Sequence, residues 1–267
     1  MKKVIGVMAL VVMLGCAGEG KKVPEECAWK GDCPSGWTKD GNTCVYNGET
    51  VSIEGTVEEY VFGTKVDGAV VKIMDYDTLI PPCGVSDSKG SVRIEGIPKG
   101  TDVTAVVSVS AGPYKDAFGN PTYYFHFVGG PIENDVKEET FIHISEQLAS
   151  IILAQLQKKD ESFQQLPDHG VVAGLIIEDP SQQTYVEGAT VAISPADDFT
   201  KYFYVSSDKP MPNIIDQTDS AGTFIVGNAP RGEAVITAYA GTPTAPIGST
   251  NLVIHENSVA IANILKK

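Results

Sequence analysis

Five cysteines, at positions 16, 27, 33, 44 and 83, supply most of the reactive chemistry in this sequence. Met1-Lys2-Lys3 followed by an apolar run from Val4 to Leu14 reads as a secretory signal, too short for a permanent membrane helix. In the oxidising compartment this address implies, Cys27, Cys33, Cys44 and Cys83 close into two disulfides with three possible connectivities. Three of them lie within Cys27–Cys44, so complete pairing sends one to Cys83 and staples the N-terminal segment to the domain that holds it. Such a crosslink stabilises by roughly 2–4 kcal/mol. Zinc is the rival chemistry, but no C-x-x-C pair or neighbouring histidine supports it.

The remaining chemistry is thin. The histidines at 126, 143, 169 and 255 have no recognisable serine or cysteine partner, and there is no G-x-S-x-G elbow. Asp75 with Asp77, and Asp197 with Asp198, could contribute to calcium sites, yet their spacing matches no calcium loop and solvated carboxylates are the expectation. We expect no catalytic residues, no metal and no cofactor.

Cys16 stands apart from the other four. The run Met13-Leu14-Gly15-Cys16 resembles a bacterial lipoprotein signal with its lipobox. That resemblance implies cleavage before Cys16, acyl chains such as palmitate on the mature N-terminus, and a lipid-anchored protein of the cell envelope. Ala17 after the cysteine implies the outer membrane if the source is Gram-negative.

Loss of Lys2 and Lys3 with the signal takes the formal charge from −14 to −16. So acidic a surface repels phosphate backbones and anionic headgroups, which excludes nucleic acid as a partner and leaves the lipid to hold the membrane. The expected organisation is a signal (1–15), a polar tether (16–26), a Cys-rich segment (27–48), a first domain (51–143), a helix and linker (145–169) and a second domain (170–267). Trp29 and Trp37 in the Cys-rich segment are either its small core or an exposed binding pair; the core reading is favoured.

The two domains are an internal repeat. Asp67-Gly68-Ala69-Val70-Val71 returns as Glu187-Gly188-Ala189-Thr190-Val191, Ser86-Asp87-Ser88-Lys89-Gly90 as Thr218-Asp219-Ser220-Ala221-Gly222, and Pro98-Lys99-Gly100 as Pro230-Arg231-Gly232. The second and third matches share one offset, and the first is twelve residues shorter, as an insertion around 197–212 would produce. Alternating Val92 and Ile94, with Phe224 and Val226 in the second copy, mark short strands separated by turns. Each copy resembles a carboxypeptidase regulatory-like domain, a transthyretin-like (prealbumin-like) β-sandwich. The fold expected is therefore all-β: two tandem transthyretin-like sandwiches joined by a short helix and preceded by a small disulfide-held segment. His143-Ile144-Ser145-Glu146 matches the start of the metallocarboxypeptidase zinc site, with His255 as a third ligand. It falls at a strand end and helix cap, where Glu146 suits the helix dipole, and no catalytic domain accompanies it. Asn263 is placed like the asparagine of a Lys–Asn isopeptide crosslink, but the opening strands Val51–Val57 and Gly170–Ile177 carry no lysine.

Ser145 can cap a helix whose stripe Leu148, Ile151, Ile152 and Leu156 packs across a sandwich edge. The aromatics Tyr114, Phe118, Tyr123, Tyr124, Phe125 and Phe127 include an alternating set, Tyr123, Phe125 and Phe127, read as the inward face of a strand. Phe199, Tyr202, Phe203 and Tyr204 lie in the insertion, which the first copy does without, and are the candidate binding residues. The function expected is a non-catalytic, lipid-anchored structural or interaction module of the envelope, with an envelope protein or glycan as partner; a carbohydrate-binding surface lipoprotein is the alternative.

Mass spectrometry of the mature N-terminus should find a lipidated Cys16, and Cys16→Ser should leave the protein unlipidated. An unmodified Cys16, or cleavage elsewhere, would refute the anchor.

Overall fold

The computed structural model describes residues 24–60, 63–109, 123–144, 146–180, 182, 184–206, 213–240, 245–256 and 258–267, with backbone only at 26, 109, 123, 129 and 146–150. Cys16, Tyr114, Phe118 and Ser145 lie outside the described residues. A 3-10 turn (Glu25–Cys27) and a hairpin of β1 (Trp37–Asp40) and β2 (Thr43–Tyr46) make the N-terminal knob. The first copy holds β3 (Thr50–Glu59), β4 (Ala69–Asp75), β5 (Thr78–Val85), β6 (Ser91–Pro98), β7 (Asp102–Val109), β8 (Tyr123–Pro131) and β9 (Val136–His143). Helix α1 (Glu146–Lys159) follows. The second copy holds β10 (His169–Asp179), β11 (Thr184–Tyr185), β12 (Ala189–Ser194), β13 (Lys201–Val205), β14 (Ile214–Ile215), β15 (Thr223–Pro230), β16 (Gly232–Ala240), β17 (Pro246–Ile254), β18 (Ser258–Ile261) and β19 (Ile264–Leu265).

The duplication is visible strand by strand. In the first copy β3 pairs antiparallel with β6 and parallel with β9, facing a layer in which β7 lies between β4 and β8. In the second, β10 pairs antiparallel with β15 and parallel with β18, facing a layer in which β16 lies between β12 and β17. The repeated sequence blocks meet through one hydroxyl. Ser86 Oγ accepts from Ala69 N–H at 2.9 Å and donates to Val66 C=O at 2.7 Å. Thr218 Oγ1 does the same with Ala189 N–H at 2.9 Å and Val186 C=O at 2.7 Å. Asp87 and Asp219 accept amide hydrogens of their own turns, and Gly90 and Gly222 close those turns with positive φ. The opening glycines have a separate reason: a Cβ at Gly55 would run into the Glu139 carbonyl, and at Gly174 into that of Ala262. Only glycine lets each opening strand approach its parallel partner so closely.

The copies are not separate bodies. β18 of the second copy pairs in parallel with β8 of the first, Ser258 opposite Tyr123 through Ile261 opposite His126. One sheet therefore runs β14-β13-β15-β10-β18-β8-β7-β4-β5 across both copies. Its two faces have different covers. On one face β6-β3-β9 packs over the first-copy end, and Ile152, Leu156 and Phe163 from the helix and linker extend the same buried cluster to Ala173, Phe203, Val205, Ile225 and Ile261. On the other face β12-β16-β17 covers the second-copy end, around Val172, Phe224 and Val226. At the first-copy end of that face the knob is bonded to β5 through Cys27–Cys83, with Cys33–Cys44 closing the knob itself.

The alternating residues of β8 serve both sides. Tyr124 and His126 are buried toward the first-copy core, whereas Phe125 stacks on His255 at 4.2 Å and Phe127 packs against the second-copy core. The inward face expected of Phe125 and Phe127 is thus inward to the neighbouring copy.

Residues 24–144 produced alone should expose Phe125, Phe127 and the edge of β8. We expect that fragment to self-associate on size exclusion and to bind a hydrophobic dye strongly. A soluble fragment that unfolds cooperatively and leaves the dye dark would refute the shared sheet.

Candidate functional site

The insertion of the second copy is more than a loop. The first copy sends β5 back along β4, but its counterpart β13 crosses to the opposite layer and pairs with β15. This exchange leaves β12 without a neighbour on one side, and two tyrosines fill the gap. Val191 N–H donates to Tyr204 Oη at 2.9 Å, and Ile193 N–H donates to Tyr202 Oη at 3.3 Å. Those amides would otherwise form an unpaired strand edge.

Two of the four candidate binding aromatics are therefore core. Phe203 is 4% exposed and meets Phe163 edge-on at 5.2 Å; Tyr204 is 5% exposed in the second-copy core. Both face inward because β13 is covered on both sides, so the expectation that they form a binding face is corrected. The expectation that the fold can dispense with the insertion falls with it. Phe199 at 57% and Tyr202 at 36% exposure remain on the surface.

Phe199 is presented by a small polar latch. Asp197 Oδ1 accepts the Phe199 and Thr200 amide hydrogens at 3.0 Å each, and Asp197 Oδ2 lies 2.9 Å from His169 Nε2. His169 Nδ1 lies 2.7 Å from Asp168 Oδ1, and its ring meets Phe199 edge-on. Burial disfavours the charged imidazole, but the hydrogen bonds to Asp197 and Asp168 outweigh it and hold the His169 pKa above its ordinary value. The same bonds lower both carboxylates. Asn228, buried at positive φ, ties the pieces together: its amide accepts from Leu166 N–H at 2.8 Å and donates to the carbonyls of Gln164 and Phe199. No motif in the sequence pointed to Asn228.

The other expected residues have structural roles. His143 is buried in the first core, edge-on to Tyr124, while His255 stacks on Phe125. Asp75 accepts from Asp102 N–H and Asp77 from Thr78 Oγ1. Asn263 accepts from Leu175 N–H, bridging β10 to the stretch after β18. Among the described residues no group of three or more His, Cys, Asp or Glu is gathered as a metal site.

The Cys-rich knob contributes a feature the sequence did not reveal. Neither tryptophan is fully buried: Trp37 packs on Tyr46 at 5.1 Å, and half-buried Trp29 lines a cleft of about 360 Å³ between knob and sheet. Lys72, Pro81, Pro82 and the Cys27–Cys83 bridge form other parts of its wall.

No family model and no curated protein matches the chain. Among solved structures, it is similar to the Bacillus anthracis TIE protein at 13% identity and TM-score 0.24, covering 81% of this chain but only 34% of that one. It is also similar to the shaft pilin SpaA from Lactobacillus rhamnosus GG, at 10% identity and TM-score 0.25, covering 82% of this chain and 98% of that one. The minor pilin of Streptococcus agalactiae matches at 10% identity and TM-score 0.22, covering 81% and 96%.

The latch carries a pH signature of known sign. Because the folded pKa of His169 is raised, its contribution is complete below the ordinary histidine value and is lost as pH rises through the raised one. Amide exchange at Phe199 and Thr200, corrected for intrinsic rate, should accelerate on passing to alkaline pH. His169→Gln should exchange fast throughout, and a pH-independent wild type would refute the latch. Global stability should move the other way: burial pushes the His143 pKa down, so the denaturant midpoint should fall as pH drops below the ordinary histidine range, about 6.5.

Proposed function

We propose that this chain is a non-catalytic structural and interaction module of the cell envelope, held there by lipid on Cys16. The observation that carries the reading is how the tether meets the body. The segment after Cys16 leads directly to Cys27, which is bonded to Cys83 in β5 of the central sheet. A pull on the tether therefore enters a sheet shared by both copies without first unravelling the knob. Closing a loop of this separation, 56 residues, is worth about 4 kcal/mol in the chain-entropy model. The lipobox-like sequence and the two disulfides support an envelope address.

A carbohydrate-binding role is a second reading. Phe199 and Tyr202 favour it, because the latch and the β12 edge hold two exposed aromatics on one strand and its approach.

Envelope fractionation and limited proteolysis test the first reading together. Wild type should stay with membranes, and Cys16→Ser should move to the soluble fraction. Cys83→Ser should remain membrane-bound yet become cleavable between residues 24 and 50. Membrane retention of Cys16→Ser, or turnover of peptide, ester or glycoside substrates by purified protein, would overturn the proposal.

A further inference from the structure

The cleft between knob and sheet holds a cation, Lys72, that meets no carboxylate among the described residues. Lys72 is half-buried in a cross-strand row whose other members are Cys83, Val106 and Phe125, so nothing in the packing of that row calls for a charge. Lys65, Arg93, Lys99, Lys159, Lys201, Arg231 and Lys266 each meet a carboxylate, and the described lysines that do not, Lys30, Lys39, Lys89, Lys137, Lys158 and Lys267, are all exposed to water. Half-buried Lys72 meets none among the described residues, although Glu25 lines the same cleft. Trp29 lines the same cleft in a fixed pose. Its backbone N–H donates to Asn42 C=O at 2.8 Å and its indole N–H to Asp32 C=O at 3.0 Å. With its donor engaged, the indole presents the cleft with carbon surface. The volume, about 360 Å³, lies within the range of small-ligand sites.

We propose that this cleft binds a carboxylate-bearing sugar unit, with the pyranose stacked on Trp29 and its carboxylate on Lys72. Lys30, also in the lining, adds a second positive charge. The same features disfavour an acidic peptide. β5 is the outer strand here, and Pro81 and Pro82 have no N–H to offer an added strand. The net charge of −14 opposes long polyanions over distance, so the occupant is a short uronate chain or the end of a longer one. This inference goes beyond the structural role and uses neither the lipid nor Phe199 and Tyr202.

The test uses soluble full-length mature protein carrying Trp37→Phe, so that Trp29 alone reports by fluorescence. Titration with trigalacturonate should give a saturable change. Neutral galactotriose and triglutamate should bind at least about tenfold more weakly, and Lys72→Met should cost trigalacturonate about tenfold while leaving both disulfides and the melting temperature unchanged. No saturable change overturns the proposal. So does equal binding of the neutral sugar or of the peptide, or binding untouched by Lys72→Met. Because the assay is blind to lipidation, it can fail while the envelope anchor stands, and the reverse.

Discussion

The parallel pairing of β8 with β18 is the constraint on which the rest depends. A sheet shared by two sandwiches has two faces along its whole length, and each sandwich supplies a second layer for only one face of its own half. The half-faces left over need other covers. Helix α1 with Phe163 takes one and the disulfide-bonded knob reaches the other, so the segments outside the repeat complete the packing that the repeat leaves open. Gly227 shows how close the helix side comes: the Phe163 ring occupies the space a side chain there would need.

Strand exchange within the second copy follows from the same arrangement. β13 and β14 lengthen the central sheet beyond β15 and give the helix something to cover, while β12 loses the partner that β4 keeps. Tyrosine suits the replacement role, since its ring fills the core and its hydroxyl reaches a strand amide. The two copies thus differ in the layer to which β5 and its counterpart β13 belong.

Much of the fold was legible because the repeated blocks are local devices. The Ser86 and Thr218 hydroxyls, the turn glycines and the close-approach glycines Gly55 and Gly174 each answer a backbone need, so they recur wherever the sandwich recurs. The joint between copies was not legible as such. Its trace is the unbroken run Tyr123 to Phe127, apolar or aromatic on both faces except for His126, as a strand covered on both sides requires. The insertion misled for a related reason: relative to the first copy Phe203 and Tyr204 look dispensable, and their burial depends on a change of layer that no sequence offset reports. Of the candidate surfaces, Phe199 could be found from sequence, whereas the Trp29–Lys72 cleft depends on which cysteine reaches Cys83.

The seam also sets an order of events during synthesis. Tyr123 in β8 emerges from the ribosome long before Ser258, its partner in β18. Until that last stretch arrives, the earlier sandwich has an open strand edge and uncovered Phe125 and Phe127. Contacts so distant along the chain form slowly. The nascent protein therefore passes through a prolonged stage that invites wrong pairing with another chain. A chaperone that occupies the β8 edge during that interval would be of most use to it.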